Sequence, residues 1–216
     1  MLFGSSKSAN RLLAELGLSR SDVSAAGLRA LERLAAERDD LAGRLAAAEQ
    51  LADRDTLTPA LNRRAFLREL HKTMSVLERY KTPAAVLYFD LDGFKALNDG
   101  YGHAAGDAVL AQVARLLVDS VRESDVVGRL GGDEFGVILN RVGVEEARAK
   151  AASLEQKINA ASVEHAGRMH RIRASVGMHP IAAIEDPEVA IARADEAMYA
   201  EKYARRAEAQ RAFSAF

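Results

Sequence analysis

Residues 126–139 read Val-Val-Gly-Arg-Leu-Gly-Gly-Asp-Glu-Phe-Gly-Val-Ile-Leu, two short apolar runs (126–130 and 135–139) set around two glycines and two acids. Paired glycines between such runs predict a β-hairpin with Asp133 and Glu134 at its tip. Upstream, residues 83–91 form an uninterrupted apolar stretch, the pattern of a central strand buried on both faces, and it ends on Asp90 with Asp92 just beyond. Amphipathic spacing predicts helices from an Asn62 cap to about residue 80, over 104–121, over 144–158 and from Pro187 onward, with Phe66, Leu67, Leu70, Met74 and Leu77 on one face of the first. Residues 168–179 alternate as one further strand. Strands mixed with helices, without strict βαβ repetition, give an α+β domain.

Working outward, Asp55-Thr56-Leu57-Thr58-Pro59 breaks the helical pattern before this domain, and Pro59 removes a backbone donor. Before it, residues 28–54 carry Leu31, Leu34, Leu41, Leu45, Ala48 and Ala52 at three- and four-residue steps. That spacing is a heptad seam, which Arg38 interrupts and Gly43 weakens. The division expected is therefore an N-terminal helical coiled-coil segment over 1–54 and a globular domain over 55–216. A helix packed on its own domain is the alternative for the first part. Residues 10–18 read as a short helix ended by Gly17, with Ser19-Arg20-Ser21-Asp22 as turn and new cap.

Composition excludes several classes. Thirty basic against thirty-one acidic residues give a net charge of −1, so no field draws nucleic acid or an anionic membrane. There is no cysteine, hence no disulfide, thiolate metal site or Cys nucleophile. Apolar runs are far shorter than the roughly 20 residues that cross a bilayer, and the N-terminus lacks a signal-peptide pattern, so the expected location is the cytoplasm.

Two carboxylate clusters carry the chemistry: Asp90 with Asp92, and Asp133 with Glu134. If their strands are neighbours, the acids converge on one edge of the sheet and repel unless a divalent cation joins them. Oxygen donors without His or Cys select Mg²⁺ or Mn²⁺ over zinc, and such a site suits nucleotide phosphates.

Five ordered blocks then identify a family: DTLTPALNRRAF (55–66), FDLDGFKALNDGYGHAAGD (89–107), RESDVVGRLGGDEF (122–135), ASVGM (174–178) and ADEAMYAEK (194–202). In order and spacing they resemble a GGDEF-type diguanylate cyclase over roughly 55–206. The resemblance implies a nucleotidyl-cyclase-like, palm-type central β-sheet surrounded by helices and preceded by a helical stalk. It also implies condensation of two GTP into cyclic di-GMP and two pyrophosphates across a homodimer, with the coiled coil as the dimerising element.

The roles it implies fall on particular residues. Asp90, the Leu91 carbonyl, Asp133 and Glu134 hold two Mg²⁺ or Mn²⁺ ions, and Asp133 is the base for the ribose 3′-hydroxyl. Gly131 and Gly132 let the backbone approach phosphate. Lys95 and, on the last helix, Lys202 and Arg206 contact phosphates, although Arg205 and Ala207 stand where the family has Gly and Asn. Asn98 and Asp107 read guanine; a helix C-cap before Gly100 and a first-turn helix charge are compatible second roles for them. His103 holds its turn together. Arg122 and Asp125 form a product-inhibition site, against the plainer reading of a solvated Arg122 paired with Glu123 or Asp125. Pro59-Ala60 replaces the usual Gly-Leu and leaves the geometry of that turn open.

Overall fold

The computed structural model describes residues 10–15 and 17–213, without the side chains of 46–51 and 205–213. The chain divides into two compact units, 1–52 and 53–216.

In the first unit residues 10–15 are helical, Gly17 turns the chain with φ +69°, and a 3₁₀ turn, Arg20–Asp22, is closed by Ser19 and Asp22. Arg20 reaches Asn10 at 2.8 Å and Glu32 at 3.4 Å. Helix α1, Ala25–Asp53, follows. Its seam residues Leu34, Leu41 and Leu45 are each about 60% exposed. Seam residue Ala48 lies outside the described side chains.

The second unit is built on a five-stranded sheet in the order β1-β3-β4-β2-β7. β1 (Leu61–Asn62) runs parallel to β3 (Val126–Arg129); β3 with β4 (Glu134–Asn140), β4 with β2 (Ala84–Leu91) and β2 with β7 (Ala174–Ile181) are antiparallel. β2 is thus central, as its apolar run requires. Ala85, Leu87, Phe89 and Leu91 point into one core, with Val109, Val113 and Leu117 of α4 (His103–Ser120) and Leu154 and Ile158 of α5 (Val144–Ala160). Val86 and Tyr88 point into the other, with Phe66, Leu70 and Met74 of α2 (Arg63–Tyr80) and Ile191, Ala194 and Met198 of α6 (Pro187–Phe213). Each large side chain so buried contributes about 1.5–3 kcal/mol. Helices cover both faces, and the α+β expectation is met.

Caps set the helix limits. The Asn62 side chain accepts from Ala65 N at 3.0 Å and opens α2; Lys81, in the left-handed region, closes it. Three readings need correction. A helix α3, Phe94–Tyr101, lies between β2 and α4, so Asn98 is inside a helix that ends on Gly102 (φ +84°) and is not a cap before Gly100. Asp107 is the fifth residue of α4, past its first turn. Residues 168–179 are not one strand: β6 (Arg168–Arg171) pairs with an unforeseen β5 (Ser162–His165), and β7 begins afresh at Ala174. The two-residue turn Ala166-Gly167 has positive φ at both positions, the geometry that matches strand twist in a tight hairpin.

No helix among the described residues is long and apolar enough to cross a membrane.

Candidate active site

Register brings the two acidic clusters together. Asp90 on β2 pairs directly with Glu134 on β4, and on the other flank with Ser175 on β7. Leu91 N donates to the Asp133 carbonyl at 3.3 Å, placing Asp133 one step beyond that pair. Asp92 is held by its amide on Arg173 O (2.9 Å) and by the buried Ser175 hydroxyl, which reaches both carboxylate oxygens at 3.1 and 3.2 Å. From α6 the Lys202 ammonium lies 2.7 Å from Asp90 Oδ1 and 2.6 Å from Asp92 Oδ1.

The electrostatics show an excess of anions. Burial pushes the Asp133 carboxyl up, and the charges of Asp90 and Glu134 push the same way. Asp195, two helical turns before Lys202 on α6, is raised by burial and by Glu134 and Asp90. Tyr88, two residues before Asp90 on the same face of β2, is raised by burial and by the neighbouring Glu134 carboxylate. Burial alone would lower the Lys202 ammonium, but its hydrogen bonds to Asp90 and Asp92 outweigh that and raise it. Among the described residues no three carboxylates or histidines stand as a ready-made cation cage. The donor chemistry nonetheless fits a hard divalent ion: oxygens only, with an acid whose ionisation its neighbours resist.

The hairpin tip is gripped at two carbonyls. Arg129 donates to Gly132 O at 2.7 and 3.2 Å and pairs with Asp55 at 3.3 Å. Arg63 donates to Leu130 O at 3.2 Å and pairs with Glu188. Gly131 makes room for a side chain: a Cβ there would stand 2.0 Å from Glu134 Oε2, whereas Gly132 faces open space. The expectation that both glycines serve backbone approach to phosphate is thus sharpened, because the first is already required by Glu134.

Asn98 on α3 lodges its amide against Gly106 of α4, where a Cβ would meet its Oδ1 at 2.0 Å. That oxygen is buried and accepts no hydrogen bond. Asp107 and Lys95 are exposed, the latter in the first turn of α3. His103 is exposed at the start of α4, and its turn is held by backbone bonds, Gly102 N to Asn98 O at 2.8 Å and Ala105 N to Gly102 O at 3.2 Å. Arg205, Arg206 and Ala207 continue the last helix, and their side chains lie outside the described ones.

A separate pocket of about 380 Å³ is lined by Arg122, Asp125, Asn140, Glu146, Lys150 and Ser153, among others. Asp125 accepts from Arg122 N at 3.1 Å and Asn140 N at 3.0 Å, so both oxygens are taken by backbone amides. The Arg122 guanidinium is exposed, and no ion pair joins it to Asp125 or Glu123 among the described contacts.

Sequence reasoning singled out Asp90, Asp133, Glu134 and Asn98 but missed Tyr88, Ser175, Asp195 and Arg129. A phenol inside an apolar run and an arginine just before paired glycines were the available signals.

Comparison with known proteins agrees in extent. The signature of the family described as Diguanylate cyclase, GGDEF domain, matches residues 52–208. The chain is 41% identical over 156 residues to the probable diguanylate cyclase DgcE of Escherichia coli K12; this covers 70% of the chain and 14% of that relative's length. Among solved structures, a sensory box/GGDEF family protein of Caulobacter crescentus CB15 superposes with a TM-score of 0.64 at 34% identity, over 70% of this chain and 99% of that one. The coiled coil and GGDEF domain of DgcB from Caulobacter crescentus, solved in complex with c-di-GMP, superposes at 0.72 with 26% identity, over 82% of this chain and 94% of that one.

Proposed function

Because the chain belongs to the GGDEF family of diguanylate cyclase domains, we propose that it condenses two GTP into cyclic di-GMP across a homodimer, releasing two pyrophosphates. The observation that carries this reading is the register of β2 with β4, in which Asp90 faces Glu134 and Asp133 follows at the hairpin tip. In each half-reaction the 3′-hydroxyl of one GTP attacks the α-phosphorus of the other, the bond to the β-phosphate breaks, and the hydroxyl proton passes to Asp133. The burial and neighbouring charge that raise the Asp133 carboxyl strengthen it as a proton acceptor.

Asp90, the Leu91 carbonyl, Asp133 and Glu134 would hold Mg²⁺ or Mn²⁺, two ions per site. When bound, such ions neutralise phosphoryl charge and favour the alkoxide. Lys95 and Lys202 bring further positive charge to the phosphates. For the base, Asp107 accepts from guanine N1–H and the 2-amino group, and Asn98, seated against Gly106, reads the base beside it. Adenine has neither the N1–H nor the 2-amino group, which leaves acceptors unpaired at about 1–3 kcal/mol each.

Two bound halves must meet, and the exposed Leu34, Leu41 and Leu45 of α1 support a parallel coiled-coil dimer as the means. Cyclic di-GMP restrains the enzyme at Arg122 and Asp125, where a free guanidinium can fork onto phosphate or stack on guanine.

The reading is tested by incubating the protein with Mg²⁺ and either GTP or ATP and identifying products by mass. Cyclic di-GMP is expected from GTP alone, with a loss of at least 100-fold in Asp133→Asn and Asp90→Asn, and slower turnover when product is added to wild type but not to Arg122→Ala. Wild-type turnover in the Asp133 and Asp90 variants would sink their assigned roles.

A further inference from the structure

The pairing of β2 with β4 stops at Asp90 and Glu134, whereas its pairing with β7 runs on. Leu91 still faces Ala174, and the Asp92 amide donates to Arg173 O at 2.9 Å. Asp92 is therefore tied to the β7 side of β2, while the hairpin that carries Asp133 stands on the other side. Its carboxylate is held from below by the Ser175 hydroxyl, which is buried and lies 3.1 and 3.2 Å from the two oxygens. Helix α6 brings a cation to the same point by register. At Gly177 its backbone lies so close to β7 that a Cβ would meet Ala194 O at 2.1 Å and Met198 N at 2.2 Å. Gly177 faces Tyr88 and, two residues nearer the rim, Ser175 faces Asp90. Two strand residues advance about 6.6 Å and the four helical residues from Met198 to Lys202 about 6 Å, so a helix seated on Gly177 at Met198 delivers Lys202 above Ser175. There the ammonium is shared, 2.7 Å from Asp90 Oδ1 and 2.6 Å from Asp92 Oδ1.

The geometry points to Asp92, held by Ser175, as a positioning residue for Lys202: it keeps the ammonium at the rim when a divalent ion claims Asp90. This inference rests on the metal-holding role of Asp90 and the phosphate role of Lys202 proposed above. A dication on Asp90 repels an ammonium on the same carboxylate, so the lysine must give up that partner. With Asp92 beside it, Lys202 keeps a charged acceptor, and the N–H released from Asp90 is free to donate to phosphate, since an ammonium carries three donors. Without the Asp92 charge, Asp90 is the remaining anion of the pair, and metal and lysine compete for it. The Ser175 hydroxyl sets where the second acceptor stands; loss of a supporting partner of this kind typically costs 10–100-fold in metal affinity or activity.

The test is Mn²⁺ binding in the presence of a non-reacting GTP analogue, followed by electron paramagnetic resonance, for wild type, Asp92→Asn, Ser175→Ala, Lys202→Met and the Asp92→Asn/Lys202→Met double variant. Asp92→Asn is expected to weaken Mn²⁺ about 10-fold, and Ser175→Ala to weaken it by less. In the Lys202→Met background, where no ammonium competes for Asp90, Asp92→Asn is expected to cost no more than about 2-fold. An equal loss in both backgrounds makes Asp92 a metal ligand in its own right and overturns the positioning role, as does unchanged Mn²⁺ binding in Asp92→Asn. Ser175→Ala leaves every charge in place, so if Asp92→Asn does not fold, Mn²⁺ binding as tight as wild type in Ser175→Ala rejects the assignment. Should wild type bind no Mn²⁺, the metal reading of Asp90 fails by itself. The hold on Lys202 is then decided by its ammonium ¹H–¹⁵N resonance, identified by its loss in Lys202→Met. That resonance moves in Asp92→Asn and Ser175→Ala if Asp92 holds the ammonium and, by staying fixed, rejects the role.

Discussion

Gly106 and Asn98 illustrate how one missing methyl group can set a binding surface. The Asn98 amide occupies the volume that a Cβ at 106 would claim, with its oxygen 2.0 Å and the Phe94 ring edge 3.0 Å from that point. Both positions lie on helices, so neither backbone can retreat without breaking hydrogen bonds. Gly106→Ala therefore displaces Asn98 and, on the proposed reading, disturbs its contact with guanine. One hydrogen bond of this kind is worth about 1–3 kcal/mol, so steady-state kinetics should give a KM for GTP raised about 10-fold or more, with a smaller change in kcat. Binding of cyclic di-GMP at the Arg122 pocket should be unchanged, which separates a local displacement from general unfolding. An unaltered KM would mean that Asn98 does not contact the base.

The turn before β1 and the acidic hairpin act as a pair. Asp55 accepts from Leu57 N, Thr58 N and Thr58 Oγ1 at 3.2, 2.9 and 2.8 Å, and from Arg129, which in turn holds the Gly132 carbonyl. Burial pushes the Asp55 carboxyl up, but Thr58 and the Arg129 charge outweigh it, and the net value falls below the ordinary 3.8. A carboxyl lowered on folding stabilises the native state above its unfolded value and loses that contribution as pH falls through the folded one. Urea denaturation should thus find Asp55→Asn weaker than wild type by about 1–3 kcal/mol at pH 7, a gap that narrows below pH 3.8. A gap independent of pH would show that charge is not involved. The same turn resolves the Pro59-Ala60 replacement: Arg54 Nη1 donates to Pro59 O at 2.6 Å, Asp55 N donates to Ala60 O at 3.0 Å, and Ala60 is buried. Its closure uses carbonyls that any residue provides. Features written in residue type were legible in advance, among them the apolar run of β2, the Asn62 cap and the Gly131-Gly132 hairpin. The β5–β6 hairpin was not, because its turn puts an alanine, with no local signal, into the left-handed region. Asp195 was equally illegible as a site residue, since only the packing of α6 across the sheet brings it to Glu134.

For the molecule as a whole, two chains are required on the proposed mechanism, and on that reading the exposed leucines of α1 are the apolar stripe that joins them. Leu34, Leu41 and Leu45 replaced together by Glu keep the helix propensity of α1 and put like charges along the seam. Sedimentation should show the mass fall from two chains to one at micromolar concentration, and turnover per chain should drop at least 10-fold while rising with protein concentration. A dimer that survives would place the interface elsewhere. The covering of the sheet is less negotiable than this joint. At Gly177 the backbone of α6 lies against β7 so closely that Met198 N would be 2.2 Å from any Cβ. In evolutionary terms, descendants of this chain could vary Tyr199 and Tyr203 on the open side of α6 at little cost to the fold. Position 177 admits no such drift, because the first added carbon would lift from the sheet the helix that carries Asp195 and Lys202.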